Sequence, residues 1–363
     1  AEPTDAEKRR PPMWRHWQNL PEQGLISVLD RSWYQDVSIA RVEEDLSDAE
    51  NLHRMNSINT FERQLTDNGY LVLKFFLHIS QKEQKSRFDK LEDDKNTAWR
   101  VTEKDRWRNK HYNLYYKFWD EMLEYTNTPN APWQAVCSHD SNAALLSVCR
   151  TVLASVQEAI EARKQGLSIS SAKGVPAPKP CNLVHTPLLS EVTLADKTID
   201  DAKYKRELSR LQKKLNALHY KLYRRKVPVI VAYEGWDAAG KGGNIKRVSA
   251  ALDPRGYEVI PIAAPTKPEL NRHYLWRFWT KIPKTGHIAI FDRTWYGRVM
   301  VERIEGFCTE EDWKRAYQEI NEFERELTDW GAVVVKFWIH IDQDEQLRRF
   351  NDRQNTPEKQ WKI

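Results

Sequence analysis

The chain has 363 residues, of which 40% are hydrophobic and 30% charged, with a formal net charge of +5. This length predicts two domains, and this balance is typical of soluble globular protein. The chain contains no run of about eighteen apolar residues and no signal peptide, so the sequence predicts neither a membrane span nor export. The mild positive charge is compatible with a polyanionic ligand but does not by itself indicate one.

The first part of the chain alternates predicted strands and helices. Apolar runs and helical spacing predict, in order, a strand over Gly24–Asp30, a helix within Glu43–Asp67, a strand over Tyr70–Ile79, a charged helical stretch over Glu103–Tyr125, a strand over Trp133–Cys137 and a helix over Ala143–Ala162. Strands that alternate with helices predict a parallel sheet in a three-layer α/β/α sandwich.

A Ser-, Gly- and Pro-rich stretch then separates two predicted domains. It predicts a linker over residues 166–200, between a first domain at 1–165 and a second at 201–363. The second domain opens with a basic amphipathic helix, Asp201–Arg225. No aromatic stacking pattern accompanies its charges, so a solvated helix face is favoured over a nucleic-acid site.

A glycine-rich motif follows the next predicted strand. The apolar run Val227–Tyr233 leads into Glu234-Gly235-Trp236-Asp237-Ala238-Ala239-Gly240-Lys241-Gly242-Gly243, and a helical pattern begins near Asn244. Strand, glycine-rich turn and helix start are the context of a phosphate-binding P-loop, in which backbone amides and the helix N-terminus face an anion. Gly235, Gly240, Gly242 and Gly243 are expected to shape the anion site, and Lys241 to neutralise the transferred phosphoryl group.

Gly242 stands where most P-loops carry the Ser or Thr that binds Mg²⁺. Asp237, inside the loop, is the expected replacement, although an Asp in a turn also often caps a helix or accepts bonds from loop amides. Lys246 and Arg247, on the first turns of the following helix, are candidate phosphate contacts, and a solvated helix face is an equally good interpretation.

A second motif begins about fifty residues later. The buried-strand run His287–Phe291 ends in Asp292-Arg293-Thr294-Trp295-Tyr296-Gly297-Arg298. An Asp at the carboxyl end of a parallel strand beside a P-loop is placed to hold a metal ion, and Arg293 and Arg298 suit bidentate contacts to phosphate. We therefore predict Asp237, Lys241, Asp292, Arg293 and Arg298 as catalytic residues, with Asp237 and Asp292 as metal ligands.

Together the two motifs resemble the signatures of the polyphosphate kinase 2 family, and the resemblance extends over almost the whole chain. It implies Mg²⁺-dependent phosphoryl transfer between inorganic polyphosphate and a nucleotide. Members with two fused domains are associated with conversion of AMP to ADP, so the resemblance implies AMP as acceptor. Two alternatives stay open, namely an ATP-dependent nucleoside monophosphate kinase and a non-catalytic polyphosphate-binding module.

The chain is also an internal duplication. A shift of 262 residues aligns residues 1–101 with residues 263–363 without a gap, and 38 of the 101 positions are identical. A period this long indicates duplicated domains rather than a solenoid. Asp30 and Arg31 match Asp292 and Arg293, whereas Gln35, Asp36 and Ala40 stand where the second copy has Gly297, Arg298 and Glu302. An aspartate in place of Arg298 repels a polyanion, so the first repeat is expected to be degenerate.

The two copies are cut at opposite ends. The first begins past the position of the P-loop, and the second stops at Trp361-Lys362-Ile363, where the first copy continues. We expect a fragment of a longer tandem protein. In the alternative hypothesis, the back half of repeat one completes the front half of repeat two.

The four cysteines form no Cys-x-x-Cys pair and are typical of reduced residues in the cytoplasm. The expected partners are polyphosphate and a nucleotide (AMP or ADP), without nucleic acid or membrane, and a homo-oligomer is compatible with the sequence.

Overall fold

The computed structural model of the protein describes residues 3–166, 188–194 and 198–358. Most of the predicted linker lies outside the described residues. The elements of the first part of the chain are α1 Trp14–Gln18, α2 Gln35–Glu43, α3 Asp48–Asp67, β1 Lys74–His78, α4 Gln81–Asp93, α5 Glu103–Lys110, α6 Tyr112–Tyr125, β2 Trp133–Cys137 and α7 Ser141–Lys164.

The described residues of the second part form seven α-helices and four strands. Its elements are α8 Asp201–Arg225, β3 Val229–Gly235, α9 Lys241–Ser249, β4 Tyr257–Pro261, α10 Lys267–Leu270, α11 Trp276–Trp279, β5 Ile288–Asp292, α12 Val301–Ile304, α13 Glu310–Asp329, β6 Val333–Ile339 and α14 Gln343–Gln354. Short 3-10 turns lie at Ala98–Arg100, Leu189–Glu191 and Trp295–Arg298.

The described residues form two compact units. One, here called the P-loop unit, joins residues 3–27 to the described residues from 188 onwards; the other, the first-repeat unit, covers the described residues from 28 to 166. Residues 3–27, which the repeat alignment assigns to repeat one, therefore group with the second copy. The first-repeat unit holds a parallel pair of strands, β1 and β2, in which Lys74 is paired with Trp133.

The P-loop unit is built on a four-stranded parallel sheet with the order β4-β5-β3-β6. On one face, a core of β3 and β5 side chains packs against α9 and the partly buried Leu215 and Leu222 of α8. On the other face, Phe291 of β5 packs against Phe278 of α11 and against Trp295. Helices on both faces of a parallel sheet confirm the predicted three-layer α/β architecture.

The predicted strand over Gly24–Asp30 is wrong, because this segment belongs to no strand. Its counterpart β5 lies between β3 and β4 and bonds to both. Among the described residues, no strand pairs with this segment, so its amides and carbonyls join no ladder. Ile26 and Val28 are accordingly 81% and 91% exposed.

Two predicted helical stretches are divided in the structure. The stretch Glu43–Asp67 breaks after α2, where Asp45 has a φ of 52°, and α3 begins after Ser47. Ser47 and Glu50 form a reciprocal capping box, a Ser-x-x-Glu start signal within the predicted helix. The stretch Glu103–Tyr125 likewise forms two helices, α5 and α6, which meet at His111.

Residues 3–27 meet their own counterparts in the second copy. The amide of Gln23 donates to the carbonyl of Asn271 at 2.9 Å, and the amide of Thr285, the counterpart of Gln23, donates to the carbonyl of Arg9 at 2.8 Å. The ring of Trp17 stacks on that of its counterpart Trp279, with centroids 5.7 Å apart and planes 12° apart. Reciprocal contacts between equivalent residues are the signature of an isologous interface.

One helix of the first-repeat unit, α7, is long and apolar enough by length and composition to cross a membrane. A single helix of this kind is weak support for a membrane span, since helices of soluble proteins pass the same test. The expectation that the protein has no membrane partner therefore stays a prediction.

Candidate functional site

The P-loop lies where β3 ends and α9 begins. Gly235, the last residue of β3, has a φ of 140°, and a Cβ at this position would lie 2.2 Å from the carbonyl oxygen of Ile339 in β6. Gly240 caps α9 with a φ of 104°. Both glycines are therefore required by backbone geometry. The helix starts at Lys241, three residues earlier than the sequence predicted.

Gly242 and Gly243 occupy the first turn of α9. A Cβ at Gly242 would meet nothing within 4 Å, so this glycine is not required by protein packing and leaves space beside the helix N-terminus. Unbonded amides at such a terminus favour an anion. The geometry is therefore compatible with a phosphate group at this point.

Lys241 folds back over the loop. Its ammonium donates to the carbonyl of Gly235 at 2.7 Å and to that of Trp236 at 3.0 Å. Burial lowers the pKa of Lys241, and the nearby charge of Arg293 lowers it further, while Asp292 acts in the opposite direction. Strands β3 and β5 are neighbours, with Tyr233 paired with Asp292, so the Asp292–Arg293 turn lies at the same end of the sheet as the P-loop.

Asp237 directs its carboxylate outward. One oxygen accepts a hydrogen bond from the amide of Ala238 at 2.7 Å and lies 3.7 Å from the guanidinium of Arg353, yet the side chain is 59% exposed. The loop-amide bond matches the turn role that the sequence left open, and the exposure leaves the carboxylate accessible to a metal ion.

Arg293 adopts a left-handed backbone conformation, with a φ of 67°. Its amide donates to the carbonyl of Tyr233 at 3.0 Å, which holds the residue after β5 against the end of β3. The counterpart Arg31 has a similar φ of 57°. Such a conformation is uncommon for a non-glycine residue, so the Asp-Arg turn is a shared structural feature of both repeats.

Glu234 is a site residue that the sequence reasoning missed. Its carboxylate accepts bonds from the amide and the hydroxyl of Thr294, each 2.7 Å long. Burial raises the pKa of Glu234, whereas the bonds from Thr294 and the charges of Lys241 and Arg293 lower it. This carboxylate joins the P-loop to the Asp292 loop. The signal in the sequence is its place as the first polar residue after the buried strand.

A second connection reaches the loop from α14. The guanidinium of Arg349 donates to the carbonyls of Ala238 and Ala239 at 3.1 and 3.0 Å, and Gln346 donates to the carbonyl of Asp237 at 3.0 Å. Because these carbonyls are bonded on the α14 side, the conformation of the loop is fixed from outside the phosphate site. Sequence reasoning did not find these residues, which lie more than one hundred positions from the loop.

Arg298 lies at the end of the 3-10 turn Trp295–Arg298. Its guanidinium pairs with the Glu302 carboxylate at 2.9 Å and lies 4.4 Å above the ring of Tyr274. The turn is held by Glu324, which accepts bonds from Trp295 and Tyr296 at 3.0 and 2.8 Å. Lys336 completes this network, and the first repeat contains the same four residue types at Trp33, Tyr34, Glu62 and Lys74.

Lys246 and Arg247, the two candidate phosphate contacts on α9, have different surroundings, and His340, just after β6, is bonded to the P-loop. Arg247 donates to the hydroxyl of Tyr204 in α8 at 2.6 Å and to the carbonyl of Gly243, so its side chain is engaged by the protein. Lys246 is exposed. His340 accepts a 2.9 Å bond from the Trp236 indole, so its ring is engaged by the protein.

Comparison with known proteins decides the family. The profile of the family described as Polyphosphate kinase 2 matches residues 1–164 and 198–363. The chain belongs to this family. A relative named polyphosphate:AMP phosphotransferase from Pseudomonas aeruginosa is 41% identical over 361 residues, which cover 99% of this chain and 72% of the relative. A protein of the same name from Acinetobacter johnsonii is 38% identical over 366 residues, covering 100% of this chain and 72% of the relative.

Solved structures agree with the fold. A crystal structure assigned to polyphosphate kinase 2 from Pseudomonas aeruginosa matches with a TM-score of 0.78 at 38% identity, covering 98% of this chain and 68% of that one. The predicted family resemblance and the predicted fold are thereby confirmed.

The carboxylate side chains at the candidate site fit a metal ion that arrives bound to phosphate. Among the described residues, no group of three or more His, Cys, Asp or Glu side chains is arranged to hold a metal. Mg²⁺ commonly takes only one or two protein carboxylates, with phosphate oxygens and water completing its shell. The candidate carboxylates are Asp237, in the loop after β3, and Asp292, at the adjacent end of β5, and two carboxylates match that number.

Proposed function

We propose that the protein is a polyphosphate:AMP phosphotransferase, which transfers the terminal phosphate of inorganic polyphosphate to AMP and forms ADP. The observation that carries this proposal is the P-loop beside the Asp292–Arg293 turn, in a chain about 40% identical, over nearly its full length, to relatives named for that activity. The ATP-dependent monophosphate kinase and the non-catalytic module have no observation of their own in their favour.

In the proposed reaction, a phosphate oxygen of AMP attacks the terminal phosphorus of polyphosphate. The bond from that phosphorus to its bridging oxygen breaks, and the shortened polyphosphate leaves with the electron pair. The acceptor is already anionic, so the protein needs no strong base, and positioning with charge neutralisation carries the rate. Bound Mg²⁺ would neutralise phosphate charge, and Asp237 and Asp292 are the residues that would hold it.

The remaining residues act on phosphate oxygens. The α9 N-terminus with Gly240, Gly242 and Gly243 accepts a phosphate group, and Lys241 turns from the loop carbonyls toward the transferred phosphoryl group. Arg293 and Arg298 bind donor or acceptor phosphates through their guanidinium groups. We also propose a cytoplasmic location, where AMP is available and where the free thiols of the described residues Cys137, Cys149 and Cys308 are stable.

The test offers AMP, ADP, GMP and GDP separately with polyphosphate and Mg²⁺, and the nucleotide products are separated by ion-exchange chromatography. ADP formation from AMP, dependent on polyphosphate and lost on chelation of the metal, supports the proposal. A parallel reaction supplies ATP at the same phosphate concentration. Efficient transfer from ATP with inert polyphosphate would assign the protein to the monophosphate kinases, and binding without any product would leave a polyphosphate-binding module.

A further inference from the structure

A buried polar cluster lies behind Arg298 in the P-loop unit. It consists of His273 and Tyr274, just before α11, and Arg315 and Glu319 on α13; we call these four residues the Glu319 cluster. His273 and Glu319 are each 1% exposed and Tyr274 is 7% exposed. Burying polar and charged side chains is costly unless they are paired, so a cluster of this kind needs a physical reason.

The side chains of the Glu319 cluster lie within about 4 Å of one another or stack ring on ring. Nδ1 of His273 accepts a bond from the amide of Leu275 at 3.2 Å, so in the neutral ring the proton is on Nε2, which lies 3.6 Å from the Glu319 carboxylate. Arg315 lies at the same distance from this carboxylate through its Nε atom. The rings of His273 and Tyr274 stack with centroids 5.0 Å apart.

Tyr274 connects the cluster to Arg298. The guanidinium of Arg298 lies 4.4 Å from the centroid of the Tyr274 ring, within the range of a cation–π contact. Burial raises the pKa of Tyr274 well above its ordinary value, and the neighbouring Glu319 carboxylate raises it further. The phenol therefore stays neutral, and the ring is a fixed, uncharged platform beneath the arginine. Glu302 holds the other side of the same guanidinium at 2.9 Å.

The internal duplication provides a comparison within the same chain. The network of Trp295, Tyr296, Glu324 and Lys336 has all four residue types in both repeats, as expected of a structural support. Arg298, Glu302 and the Glu319 cluster are replaced at every position in the first repeat, where the counterparts are Asp36, Ala40, Pro11, Pro12, His53 and Ser57. The cluster therefore occurs together with Arg298 and Glu302 in the second repeat, and the first repeat keeps neither the cluster nor the arginine.

We propose that Tyr274 and Glu319 are positioning residues, which hold the Arg298 guanidinium in the orientation that binds a phosphate group of the substrate. The inference rests on the proposed function, since Arg298 is there a phosphate ligand. Tyr274 supplies the face on which the guanidinium lies. Glu319 acts on Tyr274 through His273, which lies 3.6 Å from the Glu319 carboxylate and stacks on the Tyr274 ring. Neither residue contacts the substrate itself.

The test is a double-mutant cycle between Tyr274→Leu and Arg298→Met, measured on the full chain with polyphosphate and AMP. We expect each single change to raise KM for polyphosphate by about tenfold with a smaller change in kcat, and the double variant to be no worse than Arg298→Met alone. Leu252→Val, in the core on the α9 face of the sheet, is the matched control. Because Leu252 does not hold Arg298, the fold-changes in KM caused by Leu252→Val and Arg298→Met should multiply in the double variant. Multiplicative losses for Tyr274→Leu and Arg298→Met overturn the inference.

Two further measurements keep the outcome decisive. Tyr274→Phe retains the ring without the hydroxyl, so it should stay within about threefold of the parent even if the leucine variant folds poorly. Dissociation constants for polyphosphate give the same cycle without turnover. If the parent chain binds polyphosphate but transfers no phosphate, the proposed function fails while the cycle on the dissociation constants still decides the role of Tyr274. Independent losses in that cycle overturn the inference.

Discussion

Glu234 accepts two 2.7 Å hydrogen bonds from Thr294, and these bonds join the residue before the P-loop glycine to the loop that follows the strand-end Asp292. Both bonds end on the same carboxylate oxygen. The two loops that carry the predicted catalytic groups therefore share one polar connection, which is shielded from water together with the ammonium of Lys241.

We expect Glu234→Ala to lower kcat by about tenfold or more, because the amide and hydroxyl of Thr294 lose their acceptor and the two loops lose their connection. Glu234→Gln keeps an oxygen at the same position and should lose less. Steady-state kinetics with polyphosphate and AMP measure the difference. Thr294→Val, which removes only the hydroxyl bond, should fall between the two; equal activity of the alanine variant and the parent would contradict the role.

Much of the fold follows from the sequence because local signals and tertiary contacts agree. Strand β2 and helix α8 have the predicted bounds, Trp133–Cys137 and Asp201–Arg225. Gly24–Asp30 fails because a strand needs neighbours, and an apolar run alone does not reveal whether they exist. The capping box at Ser47 and Glu50 was a readable signal that marks the start of α3.

The candidate site likewise contains residues that the sequence reveals and residues that only the structure reveals. The P-loop and Asp292 motifs are short and contiguous, so the sequence shows them directly. Glu319 and Arg349 come from helices that follow the motifs in the chain, and their contacts to His273 and Ala238 exist only after folding. No spacing rule connects such residues, so they require the structure.

The asymmetry between the repeats gives a second prediction. Asp292→Asn should reduce turnover by orders of magnitude, since Asp292, unlike its counterpart Asp30, lies at the strand end beside the P-loop. Asp30→Asn, the matched change in the first repeat, should leave most of the activity. Turnover numbers of the two variants, with circular dichroism to confirm folding, provide the comparison. Similar losses in both would contradict the expected degeneracy of repeat one.

The stacked rings of Trp17 and Trp279 predict that residues 3–27 contribute to the unfolding free energy of the P-loop unit. Both side chains are buried, and either change to alanine should cost about 3–5 kcal/mol of unfolding free energy. The double variant should lose less than the sum, because each single change already removes the stack. Urea denaturation measures the cycle. Additive losses would show that the two rings stabilise the unit independently.

Lys241 predicts the alkaline limb of the pH profile. Burial and Arg293 lower its pKa, so the ammonium loses its proton at a lower pH than an exposed lysine does. If the charged form is required, kcat/KM should fall as pH rises through this lowered pKa. Lys241→Arg keeps its charge at high pH and should shift that fall upward, whatever its absolute activity. An unchanged alkaline limb in the arginine variant would assign the titration to another group.

A substitution at Asp237 distinguishes a role as metal ligand from a role in stabilising the loop. Its carboxylate already accepts the amide of Ala238 at 2.7 Å, and Gly242 offers no hydroxyl where most P-loops place one. Asp237→Asn retains an oxygen that can accept the amide but removes the charge that Mg²⁺ prefers. If the carboxylate is a metal ligand, turnover should fall by about a hundredfold or more and the Mg²⁺ concentration at half-maximal rate should rise, with little change in melting temperature. Near-normal turnover with unchanged Mg²⁺ dependence would leave Asp237 only its bond to the loop amide. Asp342→Asn is the matched control: Asp342 caps α14 through the amide of Glu345 and asparagine caps a helix about as well, so this change should leave both stability and the response to Mg²⁺ nearly unaltered.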